Sequence, residues 1–198
     1  MNAATRLLAR PLFLGLATGV VLSLASCASK PVPKALPAGG LKSGLFEWTG
    51  DGVPGPASVI VKLGEQKAYF YRGQKLVGWT FIASGIAGHE TKPGRYTVLE
   101  KKEDKISNLY GKLLDSNGDV VQSDFNLGKE TLPEGCQFAP ARMPFYMRLS
   151  DDGTGLHVGA LPHPGKPASH GCVRMPRAMA VKFFQNVQVG TPVTILPG

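Results

Sequence analysis

Leu156-His157-Val158-Gly159 and, a short loop later, Pro167-Ala168-Ser169-His170-Gly171-Cys172-Val173-Arg174-Met175-Pro176 hold the side chains best suited to covalent chemistry. A thiol attacks as its thiolate, and with an ordinary pKa of about 8.5 only a small fraction is ionised at neutral pH. An imidazole, with an ordinary pKa of about 6.5, takes that proton and returns it to a leaving amine. Cys172 stands fifteen residues after His157, so the two form such a pair if the intervening loop folds back. The pattern predicts a sulfur at 172 kept deprotonated by the imidazole at 157. Gly159, Gly165 and Gly171 let the backbone approach a substrate closely. Backbone N–H groups around Gly171 and Cys172 would then hold the negative oxygen of a tetrahedral intermediate. Two other readings use the same letters. A cysteine is often an inert, buried small hydrophobe. His157, His163, His170 and Cys172 could also be zinc ligands, although their spacings are not those of a common zinc module.

The elements that must position these residues read as β. Ser58 to Leu63 is rich in β-branched residues, and Lys67 to Tyr71 and Leu76 to Ala83 in aromatic and aliphatic ones, with Arg72-Gly73 where a hairpin turn belongs. Arg95 to Glu100 is a further strand after the Pro93-Gly94 breaker. Asn117-Gly118, flanked by Leu113-Leu114 and Val120-Val121, signals a hairpin. Pro144 to Leu149, Gly155 to Val158 and Thr191 to Leu196 are short strands. Met179, Ala180, Phe183, Phe184 and Val187 recur at helical spacing, so a helix is expected over Arg177 to Val187, with Pro176 suiting its first turn. Many short strands and one good helix predict a mainly β, sandwich or barrel-like single domain with one or two short helices.

Composition agrees. In 198 residues, 25 glycines and 16 prolines stand well above the average of about 12% of a chain and argue for many turns. With 43% apolar and 18% charged residues, the chain is neither a disordered polyelectrolyte nor a multi-span membrane protein. Three cysteines are too few for a disulfide scaffold. The net charge of +8 favours acidic partners such as nucleic acid, anionic lipid or a carboxylate-bearing polymer, or else reflects a generally solvated basic surface. No long basic run and no aromatic-basic interleaving occurs, so no nucleic-acid partner is expected.

Residues 1–26 read as a secretory signal: Arg6 and Arg10, then an apolar stretch from Leu12 to Leu24, too short for a membrane span of about 20 residues. Leu24-Ala25-Ser26-Cys27 resembles the bacterial lipoprotein lipobox, which implies lipidation of Cys27 and attachment to the cell envelope. With Ala28 next, outer-membrane delivery is expected if the envelope has two membranes. Residues 27–56 read as a lipidated Pro/Gly-rich tether whose end, through Phe46 and Trp48, packs back on the domain. The catalytic domain is expected over 57–198.

The string His157…Ser169-His170-Gly171-Cys172-Val173-Arg174 resembles the signature of the L,D-transpeptidase (YkuD-type) catalytic domain. The likeness extends to Val59-Ile60-Val61 through Gly73, to Ser84-Gly85 through Tyr96, to Met143-Pro144-Phe145-Tyr146-Met147-Arg148 and to Val189-Gly190-Thr191-Pro192-Val193. The resemblance implies a β-sandwich of that family, with Cys172 as nucleophile, His157 as general base, Ser169, His170 and Gly171 supporting the site and its oxyanion loop, and Arg174 orienting that loop or a substrate carboxylate. A structural salt bridge is the other reading of Arg174. Lys92 interrupts the family's usual Thr-Pro step, the loop from His157 to Ser169 is short, and His89 and His163 match nothing obligatory.

The resemblance further implies peptidoglycan stem peptides as substrate. The thiolate would attack the carbonyl between diaminopimelate and terminal D-Ala, and an amine of a second stem would resolve the thioester into a cross-link, with no metal or organic cofactor. Acylation by carbapenems is implied as well. Two alternatives stand beside it: a hydrolase (L,D-carboxypeptidase, or one freeing wall-attached protein), and an inert wall-binding lipoprotein. A monomer is expected. Cys136 is expected to be free and buried, or only reversibly linked, because a permanent bond would consume Cys172.

Overall fold

The structure, a computed structural model, describes residues 40–198. Its strands are β1 (Leu41–Ser43), β2 (Phe46–Trp48), β3 (Ala57–Lys62), β4 (Lys67–Arg72), β5 (Lys75–Phe81) and β6 (Gly94–Thr97). There follow β7 (Glu100–Leu114), β8 (Val120–Asn126), β9 (Gln137–Arg148), β10 (Gly155–Val158) and β11 (Val173–Met175), then helix α1 (Arg177–Asn186) and β12 (Pro192–Leu196). One sheet has the order β1-β2-β5-β4-β3-β12-β6, the other β11-β10-β9-β7-β8. The mainly β fold is as the composition predicts, with one helix among the described residues.

Alternation decides which faces meet. Val59 and Val61 of β3 are opposite Phe70 and Ala68 of β4 and beside Val193 and Ile195 of β12, and all six are buried. Against them α1 lays Met179, Ala180 and Phe183, none of them exposed. Met147, Leu156, Val173 and Met175 of the second sheet belong to the same core. Phe70 is 5.1 Å from Trp48 and 5.2 Å from Phe183, ring centre to ring centre, so three aromatic rings form its centre.

One expectation about the strands is corrected. Arg95 to Glu100 is not one strand: the chain passes from the first sheet to the second at Val98-Leu99. The Val98 N–H binds Thr191 O at 3.0 Å and the Leu99 N–H binds Arg148 O at 2.8 Å, so each residue pairs with a different sheet. The end of the expected tether packs back on the domain through Phe46 and Trp48, as the sequence suggests, and extends the sheet before residue 57. Trp48 pairs with Gly78 and is fully buried, where only glycine at 78 leaves room: a Cβ there would lie 2.6 Å from the indole. Residues 1–39, with the signal segment, Cys27 and the first part of the expected tether, lie outside the described residues.

Asp51 completes this docking. It accepts the Trp48 indole N–H at 2.8 Å and the Lys182 ammonium at 2.6 and 2.8 Å, and Lys182 is only 5% exposed. Burial alone would raise the Asp51 carboxyl, but the hydrogen bonds from Lys182 and Trp48 outweigh it and the net direction is down. Its contribution is therefore present above the unfolded value near 3.8 and is lost as pH falls through the lower folded value. Trp48→Ala is expected to destabilise by about 3–5 kcal/mol in urea denaturation. A merely tethered segment would give a change within about 0.5 kcal/mol.

Candidate active site

β10 and β11 are parallel, with Leu156 beside Val173, His157 beside Arg174 and Val158 beside Met175. Side chains alternate along a strand, so the burial of Leu156, Val173 and Met175 in the core turns His157 and Arg174 to the other face. Cys172, two residues before Arg174, turns with them. The sheets meet here, because Ala83 and Arg174 exchange backbone hydrogen bonds of 3.0 Å in both directions.

His157 is 5% exposed, and its Nδ1 lies 2.7 Å from the Val158 carbonyl oxygen. That oxygen only accepts, so Nδ1 carries the proton and Nε2 keeps its lone pair. Burial lowers the imidazole to about 4; the Val158 bond opposes this and the Arg174 charge adds to it. Burial pushes the Cys172 thiol up, against the Gly155 N–H and the Arg174 charge, which favour the anion. The thiol donates to Gly153 O at 3.6 Å. At neutral pH the resting pair is therefore a neutral thiol and a neutral imidazole. This corrects the expectation of a standing thiolate: two charges on a buried face cost more than their attraction returns.

The loop before Cys172 is held from inside. Ser169 is 1% exposed, donates its hydroxyl to the Cys172 carbonyl and accepts the Gly171 N–H at 3.2 Å. Thr91 Oγ1 accepts the Gly85 N–H at 2.9 Å and donates to Gly171 O at 2.8 Å. In a trans peptide the next N–H points opposite to that carbonyl, so Thr91 aims the Cys172 N–H away from itself. The N–H groups of Cys172 and His170 make no hydrogen bond among the described residues, whereas that of Gly171 is taken by Ser169. Gly171 instead supplies a backbone φ of +108°. Gly85 is forced too, since a Cβ would fall 1.8 Å from His89 O. Beneath, buried Gln66 binds both the hydroxyl and the N–H of Ser84, whose carbonyl receives the N–H groups of Ala168 and Ser169.

His170 points out of this loop. Its Nε2 lies 3.0 Å from the Asp124 carboxylate, its ring stacks on Tyr110 at 4.8 Å, and His89 meets it edge-on. With Asn126, Lys129 and Glu130 these residues line a cleft of about 230 Å³ that stops two residues short of Cys172. Arg174 donates to Ala168 O at 2.8 Å, with its stem under Gly159, where a Cβ would sit 2.6 Å from Arg174 Cγ. Its partner is thus the loop backbone rather than the carboxylate of a salt bridge. His163 is exposed. Among the described residues no three His, Cys, Asp or Glu side chains gather to hold a metal, so the zinc grouping is not formed. Cys136 is free, as expected, but half-exposed rather than buried.

Sequence reasoning missed Thr91 as a loop support, Gln66, Asp124, Tyr110 and the Val158 carbonyl. Thr91 stands in a segment already singled out beside Pro93-Gly94. A backbone carbonyl leaves no letter to read.

Residues 56–195 match the YkuD family, the L,D-transpeptidase catalytic domain. The chain belongs to that family. Similar solved structures include an L,D-transpeptidase from Mycobacterium smegmatis, 17% identical with a TM-score of 0.55, covering 71% of this chain and 58% of that one. Another is an L,D-transpeptidase in complex with imipenem, 15% identical with a TM-score of 0.56, at the same coverages. The catalytic domain of the Enterococcus faecium L,D-transpeptidase is 24% identical with a TM-score of 0.51, covering 73% of this chain and all of that one. These likenesses show the fold. The chain spans about three-fifths of the length of the first two. No curated protein matches it.

The protonation pattern has a direct check. Long-range 15N NMR of the His157 ring is expected to show Nδ1 protonated and Nε2 bare across the neutral range, with titration near pH 4. An imidazole titrating above 6 would contradict it.

Proposed function

We propose that the chain is a peptidoglycan L,D-transpeptidase with Cys172 as its nucleophile and His157 as its general base. The observation that supports this reading is the register of the parallel β10–β11 pair, whose alternation assigns Cys172 and His157 to the same face, with the imidazole's Nε2 bare and the Cys172 N–H unbonded among the described residues. Nε2 takes the thiol proton as sulfur attacks the donor-stem carbonyl. The N–H groups of Cys172 and His170 hold the oxygen of the tetrahedral intermediate. As it collapses, the C–N bond breaks, His157 returns the proton to D-Ala, and a thioester remains. An amine of a second stem then attacks, gives its proton to Nε2 and releases the thiol. Ser169 and Gly171 keep the loop in shape, and Arg174 does so through Ala168 while its charge favours the thiolate.

Purified protein is expected to convert tetrapeptide-stem muropeptides to 3→3 dimers and to gain one carbapenem mass adduct. Both are lost in Cys172→Ala, and the rate drops about 10²–10⁴-fold in His157→Gln. Tripeptides without dimers would make it a hydrolase, and unmodified protein with unchanged stems a wall-binding one.

We further infer that Cys27 is lipidated, which ties the domain to the cell envelope, at the outer membrane where there are two. The lipobox-like residues before it support this. Cells fed labelled palmitate are expected to label the wild-type chain and not Cys27→Ala.

A further inference from the structure

We propose that Tyr146 is a positioning residue for the Cys172 thiol: its hydroxyl holds the Gly153 carbonyl that the thiol also uses, and thereby lowers the cost of forming the thiolate. This rests on the reading of Cys172 as nucleophile. The Tyr146 hydroxyl donates to Gly153 O at 2.7 Å, and Cys172 Sγ donates to the same oxygen at 3.6 Å. One carbonyl, with two lone pairs, thus serves a strong donor and the nucleophile itself.

Three features of the chain build this arrangement. Phe145, just before Tyr146 in β9, has a φ of +54°, which a bulky residue adopts only under strain. Tyr146 and Met147 are then both buried, where alternation would expose one of them. Residue 155 must be glycine for the ring to lie there, because a Cβ would stand 2.6 Å from Tyr146 Cε2. Gly153, at φ +85°, turns the hairpin that brings its carbonyl over the sulfur.

When the thiol gives its proton to His157, the sulfur becomes an anion facing a carbonyl oxygen. Left alone, that oxygen would be a buried acceptor turned toward negative charge. The Tyr146 hydrogen bond draws electron density from it, which weakens the S–H···O bond to be broken and the repulsion that follows. The phenol stays protonated throughout, since burial, and then the charge at Cys172, push it upward. Besides the Gly153 carbonyl, the Gly155 N–H and Arg174 favour the thiolate and Asp152 opposes it.

The test is Tyr146→Phe in the full chain, with iodoacetamide alkylation followed at Cys172 by peptide mass spectrometry across pH. The midpoint is expected to move up by about one unit, and carbapenem acylation to slow about tenfold with KM within about twofold, as the loss of one buried hydrogen bond requires. An unchanged alkylation profile and acylation rate would overturn the inference. In the wild type the 13C shift of the Gly153 carbonyl is expected to follow the Cys172 titration; a flat response also overturns the inference, and needs no variant. If instead wild type and Cys172→Ala show the same carbapenem mass, it is the nucleophile reading that fails.

Discussion

The site depends on the parallel register between β10 and β11. Its hydrophobic side is unambiguous: Leu156, Val173 and Met175 are at most 1% exposed, so a slip of one residue would bury Arg174 and expose the core. Core packing thereby fixes which way His157 and Cys172 face, although neither contributes to it as a hydrophobe. The loop that joins the two strands is tied to the segment after β5 by the Gly85–Ser169 bridge, and β11 itself by the Ala83–Arg174 bridge. Cys172 therefore sits where both sheets restrain it.

Burial governs the electrostatics that follow. A face close enough to the core to hold His157 rigidly also removes water from it, which lowers the imidazole and raises the thiol together. On the proposed reading, the proton would pass from sulfur to imidazole during attack rather than rest as a standing ion pair. A protonated thiol is also a poorer target for oxidants than a thiolate.

Backbone groups do much of the remaining work, and side chains from distant segments aim them. Thr91 turns the Gly171–Cys172 peptide, Gln66 holds Ser84, and Ser84 holds the start of the loop. Close approach makes glycine obligatory at Gly85 and Gly155, where a Cβ would meet His89 O or Tyr146. On the outer side His170 ties the same loop to β7 and β8 through Tyr110 and Asp124.

Local pattern was enough for much of this protein. The letters alone marked the β10 strand, the α1 helix, the β3 to β5 meander and the Cys172 loop, because alternation, helical spacing and glycine breakers act over a few residues. They concealed β7, whose Glu100 to Leu114 run carries charges on both faces because most of it lies outside the core, and they hinted at the docking of Trp48 without naming its partners, Gly78 and Asp51. Only tertiary structure decided the protonation of His157 and Cys172, the free N–H groups and the backbone partner of Arg174. Those properties arise from burial and from contacts between residues far apart in the chain, which no local pattern encodes.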